Sequence, residues 1–238
     1  MIKLGSNSIG KIYLGSNSIG KAYLGSNLVF QKGGSGPTPP TPTPILPAGY
    51  TELQYVATDS RAFIDTGIAG ATDLDIVVKF SMNNWVEYAY IYGNHNDADH
   101  RCNRAMLNNS NHKDELIVAG GLNRTQRVAG MSYNNVQHTL SVNSTRAILD
   151  GVTTSVASDS YTNNTDNIVL GNSNATAPNE RDAGLRIYSF EIKKSGTSIL
   201  NYIPAQRDSD DAVGFYDISN EVFVKSLTGT EFSAGPVA

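Results

Sequence analysis

The sequence predicts an all-β protein: an antiparallel β-sandwich or barrel, preceded by a short β-repeat segment and a proline-rich linker. Three observations carry this. Charged residues are 17% of the 238-residue chain, against about 25% in an ordinary soluble domain. Asn, Ser, Thr and Gly fill the difference, and Asn and Gly tolerate the positive φ that tight turns demand. Short apolar-alternating runs recur with turn clusters between them, and the N-terminal segment is a repeat with the same strand–turn rhythm.

The repeat is ten residues long and occurs three times in residues 1–30. It begins Ile2-Lys3-Leu4-Gly5-Ser6-Asn7, returns as Ile12-Tyr13-Leu14-Gly15-Ser16-Asn17, and returns again as Ala22-Tyr23-Leu24-Gly25-Ser26-Asn27 before departing with Leu28-Val29-Phe30. Leu4, Ile9, Ile12, Leu14, Ile19 and Leu24 are its apolar positions. A unit this small cannot bury an apolar face alone, and repeats of this kind bury theirs against neighbours. Three rungs make a poor core even when stacked, so residues 1–31 are expected to anchor or oligomerise the chain on other chains. The alternative is a hairpin packed on the chain's own sandwich. The next segment argues against that.

Residues 32–47 read as a linker. Gly33-Gly34-Ser35-Gly36 is flexible, whereas Pro37-Thr38-Pro39-Pro40-Thr41-Pro42-Thr43-Pro44 is stiff. Proline fixes φ, so this half should be a polyproline-II rod rising about 3.1 Å per residue. A stiff spacer serves to hold a head, residues 48–238, away from an anchored base. In that head strands are expected at 51–57, 62–66, 73–80, 88–93, 104–107, 115–119 and 125–131. Further strands are expected at 137–143, 147–149, 168–170, 185–193, 199–204, 214–217 and 222–224. Asp150-Gly151 and Ser195-Gly196 are turn pairs between them.

Several segments resemble a known family. Leu46-Pro47-Ala48-Gly49-Tyr50-Thr51-Glu52-Leu53-Gln54-Tyr55-Val56 and Phe63-Ile64-Asp65-Thr66-Gly67-Ile68 resemble the opening of concanavalin-A-like (LamG-type) domains of phage and gut-bacterial proteins. His138-Thr139-Leu140-Ser141-Val142 with Ala147-Ile148-Leu149-Asp150-Gly151 is similar to that family's central hairpin. Ile168-Val169-Leu170-Gly171, Leu185 to Ile192, Tyr202-Ile203-Pro204-Ala205 and Gly214-Phe215-Tyr216-Asp217 are similar to its later strands. The resemblance spans nearly all of 46–236 and implies a concanavalin-A-like jelly-roll sandwich, a fold that is often sugar-binding and often purely structural. The Leu-Gly-Ser repeat is similar to the starting segments of some structural proteins of tailed phages of Bacteroides-type gut bacteria. That implies a virion head or tail fibre, for which a homotrimer is the expected state and other virion structural proteins are the expected partners of residues 1–31.

The bulk chemistry narrows the function. A net charge of −4 without any Lys/Arg cluster excludes the basic footprint of a nucleic-acid binder. No run approaches the ~20 apolar residues of a membrane helix. One cysteine, Cys102, leaves no intramolecular disulfide. The segment after Met1 has no apolar run of the signal-peptide kind, so synthesis in a bacterial host cytoplasm and delivery by assembly to a virion surface are expected. The Asn-x-Ser/Thr triplets at Asn108, Asn123, Asn143 and Asn163 then read as turns.

Some relatives of this fold are glycosidases, which need paired carboxylates, about 5–5.5 Å apart for a retaining mechanism. Here Asp73 and Asp75 are the closest same-face pair, and Glu191 has no acidic partner on its strand. No enzyme is expected. His95, His100, Cys102 and His112 raise zinc, but their spacing fits no familiar zinc site and Arg101 would repel a cation. No cofactor is expected, the one alternative being Ca2+ on the hard oxygen donors Asn96, Asp97 and Asp99. Sugar binding needs an aromatic platform with polar side chains beside it. The candidates are Trp85, Tyr88, Asn94, Asp97, Asp99 and Arg101, with Trp85 equally readable as a plug at one end of the core. Tyr88, Tyr90 and Tyr92 alternate, so a strand there would turn all three in or all three out. The expectation is a virion fibre or decoration protein whose head adheres to host glycans. The alternatives are a purely structural assembly protein and a bacterial surface glycan-binding module.

Overall fold

The computed structural model describes the strand segments 3–4, 7–8, 13–14, 17–18, 21–24 and 27–31. From residue 45 on it describes all but 59–61, 95–101, 123–124, 157–165 and 174–183. The described residues form strands, turns and bends and no helix. The chain divides into two compact units, Met1–Ile45 and Leu46–Ala238.

In the first unit every repeat is one antiparallel hairpin. β1 (Lys3–Leu4) pairs with β2 (Asn7–Ser8), β3 (Tyr13–Leu14) with β4 (Asn17–Ser18), and β5 (Lys21–Leu24) with β6 (Asn27–Gln31). The register repeats as faithfully as the sequence: Leu4 stands opposite Asn7, Leu14 opposite Asn17 and Leu24 opposite Asn27. Among the described residues the hairpins remain three separate two-stranded sheets. Of the expected anchoring positions, Leu4, Leu14 and Leu24 lie on these strands, while Ile9, Ile12 and Ile19 lie outside the described residues.

The second unit is an antiparallel β-sandwich. Its strands are β7 (Tyr50–Glu52), β8 (Val56–Ala57), β9 (Ile64–Ala69), β10 (Leu74–Met82), β11 (Tyr90–Gly93), β12 (Cys102–Leu107), β13 (Glu115–Leu122) and β14 (Gln126–Ala129). They continue with β15 (His138–Val142), β16 (Arg146–Leu149), β17 (Val152–Ser155), β18 (Asn167–Leu170), β19 (Leu185–Lys194), β20 (Thr197–Arg207), β21 (Val213–Asp217), β22 (Val222–Val224) and β23 (Ser233–Ala234). The larger sheet runs β17-β16-β15-β10-β19-β20-β21-β22, with β7 on β20 and β8 bridging β19 and β23. The smaller runs β14-β13-β12-β11-β18-β9.

Alternation in the sequence sets which side chains meet between the sheets. On β10, Leu74, Ile76, Val78 and Phe80 face the core. On β19 the alternation slips, because Ile187 and Phe190 both face inward three residues apart. A β-bulge in the β10–β19 ladder absorbs the slip: Lys79 pairs with Ser189 but Phe80 with Ile187. A row of rings then runs through the core. Tyr92 of the small sheet lies 5.8 Å from Phe190 of the large one, and contacts continue through Tyr202 and Phe215 to Phe232. Burial pushes the Tyr202 hydroxyl pKa well above its ordinary value, with the nearby Asp217 and Asp65 charges adding to the rise.

Two expectations need correction, and β17 is not among the expected strands. The 51–57 run is two strands, because the chain leaves β20 after Glu52 and, after a bridge from Leu53 to Val237, joins β19 at Val56. β17 lacks the buried alternation that marks a half-buried strand: its residues are exposed or half-exposed, and backbone pairing with β16 alone makes it a strand. Tyr88 lies before β11 in a turn closed by Ala89 N–H donating to Val86 C=O at 3.2 Å, with its own φ at +58°.

Candidate functional site

At the Trp85 side of the sandwich the loops after β12 and β14 enclose an open groove of about 550 Å³. That size falls within the ~300–1,000 Å³ of small-molecule clefts. Ser110, Asn111, Lys113 and Asp114 line it from one loop, and Met131, Ser132, Tyr133 and Asn134 from the other. Met131 is buried, Tyr133 half-buried, and the remaining side chains exposed.

The second loop is tied down along its length. Gly130 and Met131 N–H both donate to Asp114 C=O, at 3.0 and 2.9 Å, and Asn135 N–H donates to Met82 C=O at 2.8 Å. Asn134 and Asn135 hold positive φ of 68° and 64°, a conformation Asn accepts more readily than most residues. Between these ties Ser132 meets His138. The imidazole is 3% exposed, with Nδ1 2.6 Å from Asp150 Oδ2 and Nε2 near both Ser132 N (3.1 Å) and Ser132 O (2.9 Å). Burial works to raise the Asp150 pKa. Hydrogen bonds from Thr139 N–H and His138, with the His138 charge, outweigh it and leave the carboxyl below its ordinary value.

The groove offers a half-buried tyrosine ring beside amide, hydroxyl, carboxylate and ammonium groups. Amides and hydroxyls donate and accept, matching the mixed hydrogen-bonding of a polyol, and an aromatic ring offers apolar contact to a sugar face. Pinned loops lose little freedom when a ligand binds, which favours affinity.

The expected site residues scatter. Trp85 does not line the groove but adjoins it through Lys113, whose Nζ stands 4.9 Å from the indole centroid. Its ring packs against the core, and its buried Nε1 has no hydrogen-bond partner among the described residues. It is therefore half plug and half covered surface, not a bare platform. Tyr88, Tyr90 and Tyr92 do not share a face: a register shift between Tyr90 and Tyr92 leaves Tyr92 fully buried and Tyr90 half-exposed. Asn94 is fully buried, its Oδ1 accepting from Asn103 N–H at 2.7 Å and its amide donating to Asp166 C=O at 3.2 Å. It braces strand ends and offers nothing to a surface ligand. Asp97, Asp99 and Arg101 lie outside the described residues, as do His95, Asn96 and His100.

Other singled-out residues have local roles. His112 Nδ1 lies 3.3 Å from Glu115 Oε2, and its Nε2 lies 3.2 Å from Arg127. Asp75 accepts from the Ser141 hydroxyl at 2.9 Å, and Glu191 pairs with Lys193 at 3.1 Å. Asn143 caps a turn by accepting from Thr145 and Arg146 N–H. Among the described residues no group of three or more His, Cys, Asp or Glu side chains is placed to hold a metal ion.

Sequence reasoning missed Tyr133, Asn134, Asn111 and Lys113. The available signal was an aromatic residue inside a Ser-Tyr-Asn-Asn run between strands; its partner loop is about twenty residues away and only folding brings the two together. No known family model matches the chain, and no curated protein is significantly similar to it.

Proposed function

We propose that the protein is a virion-associated fibre or decoration protein, assembled as a homotrimer. Residues 1–31 attach it to the particle, and the head adheres to host-surface glycans through the groove without catalysis. The head is of the concanavalin-A-like jelly-roll type, a reading supported by a chain that passes back and forth between two antiparallel sheets of eleven and six strands. The observation that carries the proposal is the contrast between the two units. Three hairpins of one register, none paired with another among the described residues, precede a separately compact sandwich. Two-stranded hairpins are marginal in water, and attachment to a particle would supply these with stabilising partners. Such an element is an attachment device, and the prolines after it suit a spacer.

Adhesion follows from the groove and from number. Each sugar hydrogen bond nets only about 0.5–1.5 kcal/mol against water, so one groove binds weakly. Three heads on one trimer raise avidity by ~10²–10⁴ where the target repeats at a matching span. Deleting residues 1–31 should abolish incorporation into particles and leave a folded head. Incorporation of the truncated chain at the full-length level would overturn the anchoring role. A purely structural virion role is favoured by one observation, the covering of Trp85 by core and Lys113. That role predicts no binding by the full chain on a glycan array.

A further inference from the structure

We propose that His138 is the positioning residue of the groove and couples its shape to pH. The inference rests on the groove reading only for its consequence; the coupling itself stands on geometry. A carboxylate 2.6 Å from Nδ1 requires a proton on Nδ1, because two lone pairs at that distance would repel. Asp150 thus selects the tautomer, and Nε2 faces Ser132 either bare or protonated. Bare, it accepts from Ser132 N–H, 3.1 Å away, while the Ser132 carbonyl oxygen at 2.9 Å confronts a lone pair. Protonated, it donates to that carbonyl, and the N–H loses its acceptor.

The two forms therefore hold different peptide groups of one residue. The carbonyl belongs to the peptide that leads into Tyr133, so exchanging one hold for the other turns the wall that presents Tyr133 and Asn134. The loop is fixed at Asp114 on one side and Met82 on the other, which confines the change to the segment bordering the groove.

Asp150, from the β16–β17 turn, is the charged group in contact with the ring among the described residues. From β10 the ring meets Phe80, uncharged, at 5.9 Å between centroids. Lys113 and Asp114 are the other charged groups bordering the loop, across the lining they share with Ser132.

The test uses the full chain and first needs no ligand. Lowering the pH from 8 to 5 should move the Ser132 amide proton, followed by NMR, upfield, as it loses Nε2 as its acceptor. In His138→Gln that movement should vanish. A Ser132 amide proton that stays in place from pH 8 to pH 5 would overturn the coupling. A glycan array read at pH 8 and pH 5.5 then separates the two proposals. Binding that changes several-fold with pH in the natural chain but not in His138→Gln supports both. Binding insensitive to pH overturns the coupling alone, and no binding at either pH overturns the glycan reading while the amide shift decides the coupling.

Discussion

Gly120 on β13 has no room for a side chain. A Cβ there would sit 2.0 Å from the carbonyl oxygen of Asn143, a backbone atom that cannot swing aside as a side chain could. Gly120→Ala must therefore separate β13 from the turn after β15, at about 1–3 kcal/mol, the usual cost of forcing a methyl into packed surroundings. Urea unfolding would show it as a lower midpoint with an unchanged slope; an unchanged midpoint would mean the two segments part freely. Asp150 makes a residue-scale prediction in pH. Its carboxyl pKa is lowered by folding, so its contribution to stability is present at neutral pH and is lost as the pH falls below about 4, the ordinary carboxylate value. Melting temperatures taken from pH 7 to pH 2 should fall less steeply below pH 4 in Asp150→Asn than in the natural chain.

At the scale of elements, the contrast is between hairpins that have a core and hairpins that lack one. β16 and β17 meet at Asp150-Gly151, with φ of +50° and +85°. Two successive positive φ values are the mark of the type I′ turn, whose twist matches that of paired strands. This hairpin sits in a sheet and buries Ala147 and Leu149. Two of the hairpins of residues 1–31 pair over strands of only two residues. A peptide of residues 1–31 alone should give a disordered circular dichroism spectrum at micromolar concentration. A cooperative β-sheet melt from that peptide would remove the need for a partner.

At the scale of the molecule, the ring row ties one sheet to the other. Phe190 touches Tyr92 across the sandwich and Tyr202 along its own sheet, and it is fully buried. Phe190→Ala leaves a cavity between the sheets and should cost about 3–5 kcal/mol, lowering the melting temperature of both sheets together. If the two sheets lost structure in separate transitions in calorimetry, the sandwich would not be a single cooperative unit. The head alone, residues 46–238, should melt at the temperature of the full chain, since the two units are separately compact.

What the sequence determined by itself was local and periodic. Alternation at Leu74, Ile76, Val78 and Phe80 announced β10, and Gly after Asp150 announced its turn, because strand faces and turn φ values depend on a few adjacent residues. The repeat announced its strand–turn rhythm, whereas the closing of each unit into its own antiparallel hairpin came with the structure. The tertiary structure decided whatever depended on contacts far along the chain. It placed Asn94 inside by pairing it with Asn103 and Asp166, covered Trp85 with Lys113, and split Tyr92 from Tyr90 by a register shift. It also set Tyr133 beside Asn111 and buried His138 between Ser132 and Asp150. Whether a polar side chain faces a ligand or satisfies a buried backbone group depends on which strands become neighbours. Strand order is set by the packing energy of the whole sandwich, which no short stretch of residues carries.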